Sequence, residues 1–325
     1  MLKFEEYVEM ASQAVAAIQY PAQPAGLYEP IAYTMALGGK RLRPVLTLMT
    51  CDAFSGNAAK AINAAVGIEL YHNFTLLHDD VMDRADVRRG HPTVHVKWND
   101  NTAILSGDAM LTMACQYITR TPADSLPQVL ETFNATAMEV YEGQQYDVDF
   151  EQRDDVTESE YIDMIRLKTS VLLGCACKVG AIIGGAGKDA ADALYNYSCD
   201  LGLAFQLQDD WLDVYGDERT FGKEIGGDIA NNKKTFMLIN AINDATGDDA
   251  TELKRWIADC DPSHRADKVE AVRNIYTRLG IDKKAERAIE RYTSQSLKWL
   301  DTVEISDQAK TAFTNFATML LRRKK

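Results

Sequence analysis

Two long segments, 59–83 and 189–215, are apolar around most of a helical circumference, and each runs straight into aspartate. A helix of that kind belongs at the centre of a bundle, enclosed by other helices. The first ends in LLHDDVMD (76–83) and the second in FQLQDDWLD (205–213). Asp79, Asp80 and Asp83 therefore repeat in spacing as Asp209, Asp210 and Asp213. Acid at the C-terminal end of a helix is disfavoured by the backbone dipole, so both placements are costly unless a ligand compensates them.

The rest of the chain supports an enclosing bundle. Periods near 3.6 recur and sustained apolar/polar alternation is missing, which predicts an all-α fold. Helices are expected at about 3–19, 28–37, 42–55, 59–83, 101–119, 125–148, 159–184, 189–215, 233–245, 249–259, 265–279, 283–300 and 307–322. Thr157 and Glu160 fit a capping box, Pro127 suits a first helical turn, and GGAGKDA (184–190) separates two helices. No Pro/Ser-rich linker, charge block or solenoid repeat divides the 325 residues, so one domain spanning 1–325 is expected. With 46% hydrophobic and 26% charged residues the chain can bury a large core.

A net charge of −13 argues against nucleic acid as a partner, which requires clustered Lys and Arg. An anionic ligand would need local cations or metal. The six cysteines lack the spacings of a zinc site or disulfide framework and read as reduced thiols. The opening MLKFEEYVEM suggests neither a signal peptide nor a transmembrane segment, so a cytoplasmic location is expected.

Spacing alone does not make the aspartates functional. Asp154-Asp155-x-x-Glu158 and Asp248-Asp249-x-x-Glu252 have the same pattern, but they lie among polar residues where helices begin and acid is favoured. Within each cluster on an apolar helix, the first and third aspartates are i and i+4, on one face, and repel unless a cation lies between them. Hard carboxylate ligands suit Mg²⁺, which takes one or two carboxylates and completes its shell with water and substrate phosphate. Candidate cations for such a phosphate cluster in sequence around the same points. They are Lys40, Arg41 and Arg43 behind Gly38-Gly39, then Arg88-Arg89-Gly90, Lys168-Thr169, Phe221-Gly222-Lys223 and Lys233-Lys234. The GxxxxGK[ST] spacing of a Walker loop is missing.

In these motifs the chain resembles the trans-isoprenyl diphosphate synthases, or polyprenyl synthetase family, over roughly positions 30 to 325. The resemblance rests on GGKRLRP (38–44), HNFTLLHDDVMD (72–83), RRG (88–90), GQQYD (143–147), KT (168–169), FQLQDDWLD (205–213) and GKEIGGDIANNKK (222–234). It implies an isoprenoid-synthase-type helical bundle around a deep central cavity. It also implies a homodimeric prenyltransferase that joins isopentenyl diphosphate to an allylic diphosphate, with three Mg²⁺ ions. Carried over by position, Asp79 and Asp83 would hold two ions and Asp209 the third, with Asp80, Asp210 and Asp213 completing the acidic shells. Arg88, Lys168 and Lys223 would contact the allylic diphosphate, Lys40, Arg43, His72 and Arg89 the isopentenyl diphosphate, and Gly39 would be a substrate-binding residue. Thr169 and Gln206 would face developing positive charge, and Lys233 would support the diphosphate. The basic tail Arg322-Arg323-Lys324-Lys325 is either a frayed terminus or a flap over the mouth.

The fifth and fourth residues before Asp79 are Phe74 and Thr75. One turn below the metal, a Phe ring would act as a floor for the growing chain. Phe74 with an uninterrupted DDVMD resembles geranylgeranyl synthases, so a C20 product is expected, with C15 next. Two rival readings are a noncatalytic subunit of a heteromeric synthase and a terpene cyclase. The first typically loses its aspartates, and the second normally lacks both the second cluster and GGKRLRP.

Overall fold

The computed structural model describes residues 1–216 and 225–321. Lys223 and the Arg322–Lys325 tail, both singled out above, lie outside the described residues. The described residues are 79% helical, which meets the all-α expectation. In order, the helices are α1 (Phe4–Ala16), α2 (Ala25–Ala36), α3 (Leu42–Ser55), α4 (Ile62–Met82), α5 (Val94–Lys97), α6 (Asp100–Ile118), α7 (Leu126–Glu151), α8 (Glu158–Ile165), α9 (Val171–Gly184) and α10 (Lys188–Tyr215). The segments Gly227–Ala230, Phe236–Asp244, Gly247–Ala258, Arg265–Arg278, Ile281–Asp301 and Asp307–Leu321 follow. Thr157 and Glu160 do form the capping box that opens α8. None of the six cysteines is in a disulfide, and four of them are buried.

Besides the short helix α5, three local features depart from the sequence expectation. A two-stranded ladder, Val87–Arg88 with His91–Pro92, follows α4. A short helix, Gly227–Ala230, precedes the expected one at Phe236. Between α8 and α9, residues Arg166–Ser170 form a π-helical segment. Helix Glu158–Gly184 is long and apolar enough to cross a membrane by length and composition, but 72% of its apolar window is buried within the molecule. That burial is what a core helix shows.

The chain gathers into two compact units, each built from three stretches. The first contains Met1–Thr136, Leu172–Tyr195 and Val303–Lys310. Its centre is α4, fully buried at Leu70 and Tyr71 and packed along α6. Two glycines make that approach possible. A Cβ on Gly67 would lie 2.9 Å from Ile118, and one on Gly107 would lie 2.2 Å from the His78 ring. Arg41 and Glu69 form a buried ion pair at 2.5 Å that ties the start of α3 to α4.

The second unit contains Ala137–Val171, Asn196–Thr302 and Thr311 onward. Its core joins Tyr161, Met164 and Ile165 of α8 to Leu203, Leu207 and Val214 of α10, and to Phe236–Ile239, Ile275 and Tyr276. Each such side chain contributes about 1.5–3 kcal/mol on burial. The α10 backbone is pinned to the last two helices, with the Tyr197 hydroxyl donating to the Phe313 carbonyl and the Ser296 hydroxyl to the Tyr197 carbonyl, both at 2.8 Å.

Candidate active site

The first acidic cluster occupies the last turn of α4. The Asp83 N–H donates to the Asp79 carbonyl at 2.8 Å and closes the helix, so these two carboxylates leave its end one turn apart. Asp79 is half-buried and Asp83 is exposed. Asp80 is buried and pairs with an arginine. Arg88 Nε lies 2.8 Å from both of its carboxylate oxygens, and Arg88 Nη2 lies 2.7 Å from Oδ1.

The RRG motif is the turn that makes this pairing possible. Arg88 pairs with His91 across the ladder, leaving Arg89 and Gly90 as a two-residue loop with φ of 54° and 78°. Positive φ at both positions is what a type I′ hairpin requires, and glycine meets it without strain. The Tyr33 hydroxyl anchors the hairpin to α2 by donating to the Pro92 carbonyl at 2.8 Å. Arg89 then reaches the Gly38 carbonyl and lies across Gly39. A Cβ on Gly39 would sit 3.0 Å from that guanidinium, and the φ of 131° excludes one in any case.

Lys40, Arg43, His72 and Arg89, expected together on the isopentenyl side, line one pocket of about 430 Å³, with Leu37, Gly39, Arg41, Leu42 and Glu69 completing its wall. Arg41, grouped with these cations in the sequence, is buried against Glu69 and the Met35 carbonyl instead. Arg43 donates from Nη1 to His72 Nε2 at 3.2 Å, while its Nε is buried with no hydrogen-bond partner. Burial pushes the Arg43 guanidinium down to about 10, with Arg89 adding to the shift and Glu69 opposing it, so the group stays charged at neutral pH. His72 is held well below its ordinary value by burial and by Arg43, Arg89, Arg88 and Arg41. It is therefore neutral, and accepting at Nε2 places its proton on Nδ1.

Phe74 is 6% exposed. Its ring meets Tyr71 edge-on at 5.6 Å and His78 at 4.8 Å, and Tyr71 in turn meets Phe133 at 5.3 Å. Thr75 turns its hydroxyl back onto the His72 carbonyl at 2.9 Å.

The second acidic cluster, on α10, also divides its labour. Asp210 is buried and accepts from the Tyr161 hydroxyl, from the Phe236 N–H at 3.3 Å and from the Gln206 amide at 3.4 Å. Burial, then Asp228, raises its carboxyl to about 7. Asp213 accepts the Asp228 N–H at 3.0 Å and so fixes the Gly227–Ala230 turn. Asp209 is half-buried beside them. Lys168 and Thr169 fall on the π-helical segment, and Lys168 Nζ lies 2.5 Å from Asp147 Oδ2. Asp147 belongs to the GQQYD motif, which had no assigned role from sequence. Lys233 is exposed, and its N–H closes the turn by donating to the Asp228 carbonyl at 2.9 Å.

The two comparison clusters are satisfied by neighbouring cations: Asp154 by Lys234, Asp155 by Arg153, and both Asp249 and Glu252 by Arg278. Among the described residues, no three His, Cys, Asp or Glu side chains gather into a metal-enclosing group. Asp79 and Asp83 in the first unit offer two carboxylates, and Asp209 in the second offers one. That donor set fits Mg²⁺ completed by phosphate and water.

Residues 24–275 match the sequence profile of the polyprenyl synthetase family. The short chain isoprenyl diphosphate synthase of Methanothermobacter thermautotrophicus is 35% identical over 98% of this chain and 97% of its own. The geranylfarnesyl diphosphate synthase of Natronomonas pharaonis is 35% identical over 97% and 95%. A crystal structure of a geranylgeranyl pyrophosphate synthase superposes with a TM-score of 0.93 at 46% identity, covering all of both chains.

Proposed function

The chain belongs to the polyprenyl synthetase family, and from that premise we propose that it condenses isopentenyl diphosphate with allylic diphosphates to give a C20 product, with C15 next in expectation. It is an enzyme of the prenyltransferase class, a short-chain trans-prenyl diphosphate synthase. The observation that carries the substrate assignment is the pocket in which Lys40, Arg43, His72 and Arg89 converge. Three cations and a neutral imidazole that donates from Nδ1 suit a diphosphate.

In this reading Arg88 and Lys168, with Lys223, take the allylic diphosphate, and Lys233 supports it. Asp79, Asp83 and Asp209 would hold Mg²⁺, three ions in all, which when bound stabilises negative charge growing on the leaving diphosphate. Asp80, Asp210 and Asp213 would complete the acidic shells, and their protein contacts orient Arg88, anchor α10 and fix the Gly227–Ala230 turn. The allylic C–O bond breaks, and the isopentenyl double bond attacks the resulting cation to form a C–C bond. A proton then leaves to the released diphosphate, since no described side chain is assigned as a base. Thr169 and Gln206 offer their oxygen dipoles to the cation. Phe74, with Thr75 above it, limits how far the growing tail descends.

Both aspartate clusters, together with GGKRLRP, favour this reading over a noncatalytic subunit or a terpene cyclase. We further propose that residues 1–325 act as one catalytic domain in a cytoplasmic homodimer. Light scattering tests the dimer. The activity is tested by incubating the protein with isopentenyl diphosphate and C5, C10 or C15 allylic diphosphates, with and without Mg²⁺, and sizing the products. Elongation to C20 is expected, and no elongation of any primer would refute the proposal.

A further inference from the structure

The GQQYD motif has no part in the reaction described so far, yet the structure joins both of its ends to Lys168. Gly143 and Asp147 are one turn apart on α7. A Cβ on Gly143 would lie 2.2 Å from the Lys168 backbone nitrogen, so only glycine lets α7 lie against the π-helical segment there. Asp147 Oδ2 then meets the Lys168 ammonium at 2.5 Å. One face of α7 thus sets the lysine's backbone through a missing side chain and its charged head through a carboxylate.

We infer that Asp147 is the positioning residue for Lys168, holding the ammonium aimed before the allylic diphosphate arrives. A lysine has a flexible four-carbon stem whose rotamer freedom is lost when it engages an anion. An ion pair that already restricts the stem removes part of that loss from binding. The two side chains retain 23% and 22% of their exposure, so the pair is not sealed from solvent. The π-helical segment at 166–170 points the same way, since such segments concentrate at functional sites.

The inference rests on the role proposed for Lys168. Steady-state KM values for the allylic and isopentenyl substrates test it in Asp147→Ala, Asp147→Asn, Lys168→Ala and the double variant Asp147→Ala/Lys168→Ala. Asp147→Ala is expected to raise the allylic KM about tenfold and to leave the isopentenyl KM within about twofold, with Asp147→Asn between it and wild type. In the Lys168→Ala background, Asp147→Ala should add nothing. Additive losses, or equal rises in both KM values, would overturn positioning in favour of general packing. If Lys168→Ala raises the allylic KM and neither Asp147 variant does, positioning alone falls. If Lys168→Ala leaves it unchanged, the assigned role of Lys168 falls and this inference with it. Asp147→Asn preserves shape, so the comparison survives even where Asp147→Ala folds poorly.

Discussion

The Arg88 guanidinium spans the Asp80 carboxylate, with Nε 2.8 Å from each oxygen. We propose that an aspartate used in this way orients the arginine and leaves metal ligation to Asp79 and Asp83. Replacing Asp80 by Asn should cost about 1–3 kcal/mol of stability, as expected for a buried acceptor that loses its charge-assisted bonds. The Mg²⁺ concentration for half-maximal activity should stay within about twofold, whereas Asp83→Asn should raise it at least tenfold. Urea melts and Mg²⁺ titrations measure the two effects. Equal shifts in the titrations would return Asp80 to the metal.

Gly39→Ala should damage the isopentenyl pocket selectively. Its φ of 131° is unavailable to alanine, and the added Cβ would press on Arg89 at 3.0 Å. The isopentenyl KM should rise about five- to tenfold while the allylic KM holds. Equal rises in both would show that the Gly38-Gly39 turn serves general folding.

His72 predicts an acid-side stability loss. Its folded value is held below the ordinary 6.5, so as pH falls through that range the unfolded chain takes up a proton that the folded chain refuses. Stability from this group is full above about pH 6.5 and declines below it, by at most about 1.4 kcal/mol per pH unit. Denaturant melts at pH 7.5 and 5.5 should show a larger loss for the wild type than for His72→Gln. An equal loss would place a protonatable, solvated imidazole at this position.

Phe74→Ala should lengthen the product. The ring is nearly buried between Tyr71 and His78, so its removal opens space below the acidic cluster and costs about 3–5 kcal/mol of stability. Chromatographic sizing should show a shift beyond C20. An unchanged distribution would assign the stop to another residue.

Much of this was legible in sequence because helices advertise themselves by period. The helix expected at 42–55 runs Leu42–Ser55, and the one expected at 189–215 runs Lys188–Tyr215. What escaped lacked a period or depended on distant partners. Strands of two residues show no alternation, so the hairpin carrying Arg88 and Arg89 was invisible. The π-segment left only Lys168 and Thr169 breaking an apolar run. Arg41 looked like one more pocket cation because its partner, Glu69, is 28 residues away. Asp147 stood in a recognised motif, but its link to Lys168 spans 21 residues and rests on the close approach that Gly143 permits.

The central claim is that Asp83 and Asp209 serve one metal-dependent transfer of an allylic group to isopentenyl diphosphate. The direct measurement is pyrophosphate release by the wild type, Asp83→Ala and Asp209→Ala, with both substrates present, across a Mg²⁺ titration and with helicity monitored in parallel. Release should require both substrates and Mg²⁺ in the wild type and fall at least about 100-fold in each variant at unchanged helicity. Turnover without a divalent ion, or full turnover in either variant, would contradict it.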